Sequence, residues 1–243
     1  MRPTTKPTLF LLPGLLCDAG IWQHQSAALG EMAEIVVPDF RFARSITGMA
    51  EIVLNGAPEH FSVAGHSMGG RVATEIMRRA AERVVGLALL DTAYKPLQPG
   101  EAGEREKAER AGYVHIAQTQ GMRAMARTWL QKMVHPSRLT DAPLVESIVE
   151  MMGRKTPEIF AGQIKALLGR PDATPVLAAI RCPTLVLCGR EDAWSVVDVH
   201  RDMAARIPNA RLVIIEDCGH MATMERPYRV TAALAEWFKG LPD

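Results

Sequence analysis

The segment Gly65-His66-Ser67-Met68-Gly69-Gly70 sets a serine between two glycines, directly after the apolar run Phe61–Ala64 and at the start of a helix-like stretch. A serine on so sharp a strand-to-helix turn has a strained backbone, and small residues on either side of it relieve the crowding. Its hydroxyl would stand free at the carboxyl end of the strand, where a nucleophile is useful. The plainer alternative is a glycine turn that only starts a helix. Strand, motif and helix in succession favour the nucleophile elbow. A serine hydroxyl is a weak nucleophile at neutral pH, so it needs a base, and the base needs a carboxylate to orient it. Gly189-Arg190-Glu191-Asp192 follows the run Thr184–Cys188, and Asp217-Cys218-Gly219-His220 follows Arg211–Ile215. Asp192 and His220 are therefore the expected partners of Ser67, and the chain order Ser, Asp, His fits that arrangement. Asp217 is too close to His220 in sequence to orient it easily.

These residues can meet only if the elements before them are parallel strands ending on one side. Short β-rich runs recur at Thr8–Leu12, Ile35–Pro38, Phe61–Ala64, Val85–Leu90, Thr184–Cys188 and Arg211–Ile215. Helical patterns at Ile21–Ala33, Ile46–Gly56, Met68–Ala81, Val197–Ile207 and Tyr228–Lys239 supply the crossovers that parallel strands require. The expected fold class is α/β, with a mostly parallel sheet of roughly six strands flanked by helices. The connection from Leu90 to Thr184 is too long for an ordinary crossover. Helical patterns at Glu101–Gln118, Gly121–Met133, Ala142–Met152 and Pro157–Leu168 fill it. Residues 1–93 and 176–243 are thus expected to form the core, and 94–175 a helical cap inserted between two core strands.

The chain resembles α/β-hydrolases, specifically the small proteobacterial type with a helical cap. The resemblance rests on Leu12-Pro13-Gly14-Leu15-Leu16, Gly65-His66-Ser67-Met68-Gly69-Gly70, Leu89-Leu90-Asp91-Thr92, Cys182-Pro183-Thr184 leading into Gly189-Arg190-Glu191-Asp192, and Gly219-His220. It implies that Ser67 is the nucleophile, His220 the base and Asp192 the orienting acid. Asp91, at the end of its strand, is the rival acid, and loop context favours Asp192. The resemblance also implies an oxyanion hole formed by the backbone N–H groups of Met68 and Leu15. Two departures stand out. Only seven residues precede the first strand, so the two further edge strands of longer members are not expected, and Pro13-Gly14 replaces the common His-Gly.

The remaining residues narrow the chemistry. The serine at 67 argues against the aspartate-nucleophile dehalogenases and epoxide hydrolases of this fold, which leaves acyl transfer. No HExxH, clustered Cys/His set or GxxxxGK[ST] occurs, so no metal site and no cofactor is expected. Balanced charge, 28 Lys and Arg against 27 Asp and Glu, gives nucleic acid no obvious footing, and a small molecule of apolar character is the expected partner. Leu16, Trp129, Trp194 and Met221 are candidates for its pocket, beside a methionine-rich cap. Arg71 reads as half of a structural ion pair, with a substrate carboxylate as the alternative. The charge run Glu101–Arg110 reads as a solvated helix face, and His66 as a shaping or surface residue. Four scattered cysteines, no run near the roughly 20 apolar residues of a membrane span, and a Pro13-Gly14 break in the export-signal-like pattern that begins at Arg2 all point to the cytoplasm. The leading expectation is an esterase working through an acyl-enzyme. The alternatives are lactone or carbon–carbon bond hydrolysis or a menaquinone-pathway-like lyase step on the same three residues, and a non-catalytic binding protein on the same scaffold.

Overall fold

A computed structural model describes residues 6–242. Six strands, β1 (Thr8–Leu12), β2 (Glu34–Val36), β3 (Phe61–His66), β4 (Val84–Leu90), β5 (Thr184–Gly189) and β6 (Arg211–Ile215), form one sheet in the order β2-β1-β3-β4-β5-β6. Every pairing is parallel. The middle strands β3 and β5 are buried along their whole length, whereas the edge strands β2 and β6 are largely half-exposed. That contrast explains the unbroken apolar runs inside and the polar residues at the edges. β2 ends at Val36, two residues before Pro38, which has no N–H to give the ladder.

The crossovers are α1 (Gln23–Leu29), α2 (Ile46–Gly56) and α3 (Met68–Ala80) in the first half. Between β4 and β5 run α4 (Glu101–Gln120), α5 (Met122–Leu130), α6 (Ala142–Gly153), α7 (Pro157–Leu168) and the short α8 (Thr174–Leu177). The second half adds α9 (Val197–Arg206), the short α10 (Ala222–Glu225) and α11 (Pro227–Lys239). Side-chain caps mark several starts. Ser45 accepts the Gly48 N–H at 3.0 Å, Asp141 accepts that of Leu144 at 3.2 Å, and Thr156 accepts that of Ile159 at 3.3 Å. The expected helix Ile21–Ala33 is instead a turn of 3₁₀ helix at Ala19–Trp22 followed by α1, with Gly30 as its C-cap. α8 and α10 span four residues each, too few for a periodic pattern to reveal.

After β1 the chain steps outward to β2 and then returns across β1 to β3, so the strand order reverses between β1 and β3. The loops leaving these two strands diverge and open a crevice at their carboxyl ends. Leu15 follows β1 there and Ser67 follows β3. Arg2, where the export-signal-like pattern starts, lies outside the described residues, and no described helix is long and apolar enough to cross a membrane.

Candidate active site

Ser67 caps α3 with φ 53° and ψ −115°, a conformation that L-residues rarely adopt. Neighbouring groups hold it there. The Ser67 N–H donates to the Leu90 carbonyl at 2.9 Å, and the Thr92 hydroxyl donates to the Ser67 carbonyl at 2.7 Å. The flanking glycines are needed for close approach. A Cβ on Gly65 would lie 2.3 Å from the Gly69 carbonyl oxygen, and one on Gly69 would lie 2.2 Å from that of Leu12.

Across the crevice, the Ser67 hydroxyl lies 2.8 Å from His220 Nε2, and His220 Nδ1 lies 2.8 Å from Asp192 Oδ2. Asp192 Oδ1 accepts the N–H groups of Trp194 and Ser195 at 2.8 and 2.9 Å. Burial opposes a charge on Asp192, but the attraction of His220 and these hydrogen bonds keep its carboxyl below the usual range. An ionised Asp192 accepts only, so the His220 proton sits on Nδ1 and the Nε2 lone pair faces the serine hydroxyl. The loop carrying His220 is fastened by buried groups: the His220 N–H donates to the Met133 carbonyl at 2.8 Å, and the Gly219 and Met221 N–H groups donate to Glu225 Oε1 at 3.0 and 3.2 Å.

His66 is not a surface residue. It is buried, and its Nε2–H donates to the backbone carbonyl of His220 at 2.7 Å. Burial pushes its imidazole down to about 3, so it is neutral at physiological pH. Asp91 is also fully buried, with Oδ1 accepting the Gly189 N–H at 2.9 Å and Oδ2 3.8 Å from His66 Nε2. Burial and the nearby Asp192 charge push its carboxyl well up, toward the neutral form. Asp217 is exposed.

A cavity of about 270 Å³ opens over Ser67, with Leu15, Met68 and His220 in its wall. Neither the Leu15 nor the Met68 N–H meets an acceptor among the described residues. Trp129 and Trp194 line the cavity, their rings 5.7 Å apart edge to face, and Trp129 stacks on Tyr113 at 5.3 Å. Leu16 and Met221 do not line it. Both are fully buried, and the Leu16 N–H is tied to Gln163 Oε1 of α7 at 2.9 Å.

The cavity is only partly apolar, because Arg71, Glu106, Glu109, Arg110 and Arg170 line it beside the tryptophans, Met133 and Leu167. The charge run of α4 is therefore only partly a solvated face. Glu106 and Arg110 turn inward because Arg170 binds both Glu106 oxygens at 2.7 Å, and Arg110 lies 5.6 Å from the centre of the Trp194 ring. Arg71 forms no ion pair among the described residues; its Nη1 donates to the Lys95 carbonyl at 2.9 Å. Glu225, five residues beyond His220, and Arg170 belong to no motif, so nothing in the sequence pointed to them. The position of His66 next to Ser67 was the one available hint of its buried role. Among the described residues, no cluster of three or more His, Cys, Asp or Glu side chains could hold a metal ion.

A profile of the alpha/beta hydrolase family matches residues 9–234. The chain belongs to the α/β-hydrolase family. As an α/β-hydrolase it is an enzyme, and its hydrolase activity follows from that membership. It is 24% identical to the pimeloyl-[acyl-carrier protein] methyl ester esterase of Nitrosomonas europaea, over 91% of each chain. It is 27% identical to the 2-succinyl-6-hydroxy-2,4-cyclohexadiene-1-carboxylate synthase of Salmonella paratyphi C, over 95% of this chain and 93% of that one. Among solved structures, a thermophilic esterase from Thermogutta terrifontis, with malate bound, superposes with a TM-score of 0.85 at 29% identity, covering 97% of this chain and 90% of that one.

Proposed function

We propose that this α/β-hydrolase is a serine esterase that cleaves a small carboxylic ester through an acyl-enzyme. The observation that carries this reading is the continuous hydrogen-bonded line from the Ser67 hydroxyl through His220 to Asp192, each step 2.8 Å. In the acylation step His220 Nε2 takes the Ser67 proton as Oγ bonds to the ester carbonyl carbon. The charge on the carbonyl oxygen falls to the unpartnered N–H groups of Leu15 and Met68, and losing one such donor typically costs about 2.7–4 kcal/mol in the transition state. Asp192 steadies the imidazolium but does not take its proton. Collapse expels the alcohol, which receives the proton from His220. Water then repeats the sequence on the acyl-serine and releases the acid. Residues 94–175 act as the cap that closes the cavity and excludes bulk water.

The esterase-named relatives support the bond type. Turnover of a short-chain aryl ester, lost in Ser67→Ala, is the expected result, and equal turnover by the variant would contradict it.

A second reading keeps the same three residues and changes the bond to a lactone, a carbon–carbon bond or a lyase step. The likeness to the Salmonella synthase is the observation in its favour. Rates measured side by side on an aryl ester, a lactone and a vinylogous diketone separate the two readings, since fold and site geometry leave the substrate open.

A further inference from the structure

The cavity over Ser67 contains more positive charge than its own carboxylates neutralise. Glu106 is taken up by Arg170, which binds both its oxygens at 2.7 Å, and by Arg110 Nε at 2.9 Å. Glu109 is paired with Lys132 at 2.7 Å. Arg71, one helical turn beyond Ser67 on α3, lines the same cavity and has no carboxylate partner. Four residues of helix set the two Cα atoms about 6 Å apart along the axis. Only Nη1 of Arg71 is engaged, on the Lys95 carbonyl at 2.9 Å, so the Nε–Nη2 edge meets no acceptor among the described residues. Burial, together with nearby Arg170, brings this guanidinium down to about 9, so it is still a cation at neutral pH.

A wall with a free guanidinium edge is complementary to a ligand that offers acceptors and negative charge. We propose that the substrate ester carries a free carboxylate, and that this carboxylate binds the Nε–Nη2 edge of Arg71 while Ser67 attacks the ester carbonyl. The substrate class is a half-ester of a short dicarboxylic acid. A carboxylate matches one guanidinium edge with two parallel hydrogen bonds. A cavity of about 270 Å³ also admits only a compact molecule. Arg110 adds a second positive charge, and Glu106 is a positioning residue that fixes Arg110 and Arg170 around the subsite. This inference rests on the esterase reading for the bond that is cleaved, but the charge recognition can be tested separately.

The test compares monomethyl succinate with methyl butanoate, a neutral ester of similar size. The parent enzyme is expected to favour monomethyl succinate at least tenfold in kcat/KM. Arg71→Met is expected to bring that ratio near one, and Arg71→Lys to restore part of it. A ratio at or below one in the parent enzyme, or a ratio unchanged in Arg71→Met, overturns the subsite and leaves the esterase reading standing. Calorimetric binding of monomethyl succinate to Ser67→Ala needs no turnover. Adding Arg71→Met to that variant is expected to weaken binding at least tenfold. No binding, or binding indifferent to Arg71, overturns the subsite. If neither ester is turned over and a fluorophosphonate leaves Ser67 unlabelled, the esterase reading fails, and this binding comparison alone decides the subsite.

Discussion

The Asp91 carboxyl accepts the Gly189 N–H at 2.9 Å, and three residues beyond that glycine the Asp192 carboxylate accepts the His220 Nδ1–H at 2.8 Å. Adjacent strands thus lead into two buried acids pushed in opposite directions, Asp91 toward its neutral form and Asp192 toward its charged one. Only the charged one faces His220. Asp192→Asn is expected to lower kcat on the order of 10⁴-fold, as loss of the orienting acid does in such sites. Asp91→Asn is expected to leave kcat near that of the parent enzyme. Steady-state kinetics on one aryl ester check both, and the reverse ranking would make Asp91 the orienting acid.

The neutral Asp91 also predicts a slope of stability with pH. An acid whose folded value is raised keeps its proton in the folded chain and loses it in the unfolded one. Stability therefore falls as pH climbs from the ordinary carboxylate value toward the folded one, by about 1.4 kcal/mol per pH unit from one group. Asp91→Asn removes that group and keeps an acceptor for the Gly189 N–H. Melting at pH 5 and pH 8 is expected to show a smaller loss for Asp91→Asn than for the parent enzyme. Identical losses would mean that Asp91 is ionised.

His66 governs the acid side. Its imidazole is pushed down to about 3, so below the ordinary histidine value the unfolded chain takes a proton that the folded chain refuses. Stability is lost as pH falls from about 6.5 toward 3, again by about 1.4 kcal/mol per unit from this group. His66→Phe is expected to flatten that limb. At pH 7 it is expected to cost about 1–3 kcal/mol, because the buried His220 carbonyl loses its donor. Chemical denaturation at pH 5 and pH 7 measures both effects.

Gly69→Ala tests the elbow itself. Its Cβ would lie 2.2 Å from the Leu12 carbonyl oxygen, a backbone atom with no rotamer to yield. The variant is expected to be destabilised by about 1–3 kcal/mol or more, as overpacked cores are. A melting temperature equal to that of the parent enzyme would contradict the close approach of β1 and α3.

Much of this architecture was legible because it repeats. Apolar runs bounded by turn residues mark β1 and β6 to the residue, and the 3.6-residue period marks α2 and α7. Ser67, His220 and Asp192 stand in loops directly after such runs, so a parallel sheet suffices to bring them together. The cavity wall was harder to read. Leu16 and Met221 adjoin Leu15 and His220 in their loops, yet their side chains turn into the core, because loop geometry and not sequence distance decides where a side chain points. By sequence, Arg71 reads as half of a structural ion pair and Arg110 as part of a solvated helix face. Their cavity position depends on α4 packing against α7 and the residues just after it, through contacts such as Arg170 to Glu106 that no local pattern encodes. His66 looked free of the core because the elbow hides how tightly the following loops pack over it.

The central claim is that Ser67 is an activated nucleophile, and the most direct measurement is the site of covalent labelling by a fluorophosphonate in the folded protein, mapped by peptide mass spectrometry. A single adduct on Ser67 is expected, absent in Ser67→Ala and strongly slowed in Asp192→Asn. An unlabelled Ser67, or an adduct that persists on another residue in Ser67→Ala, would contradict it.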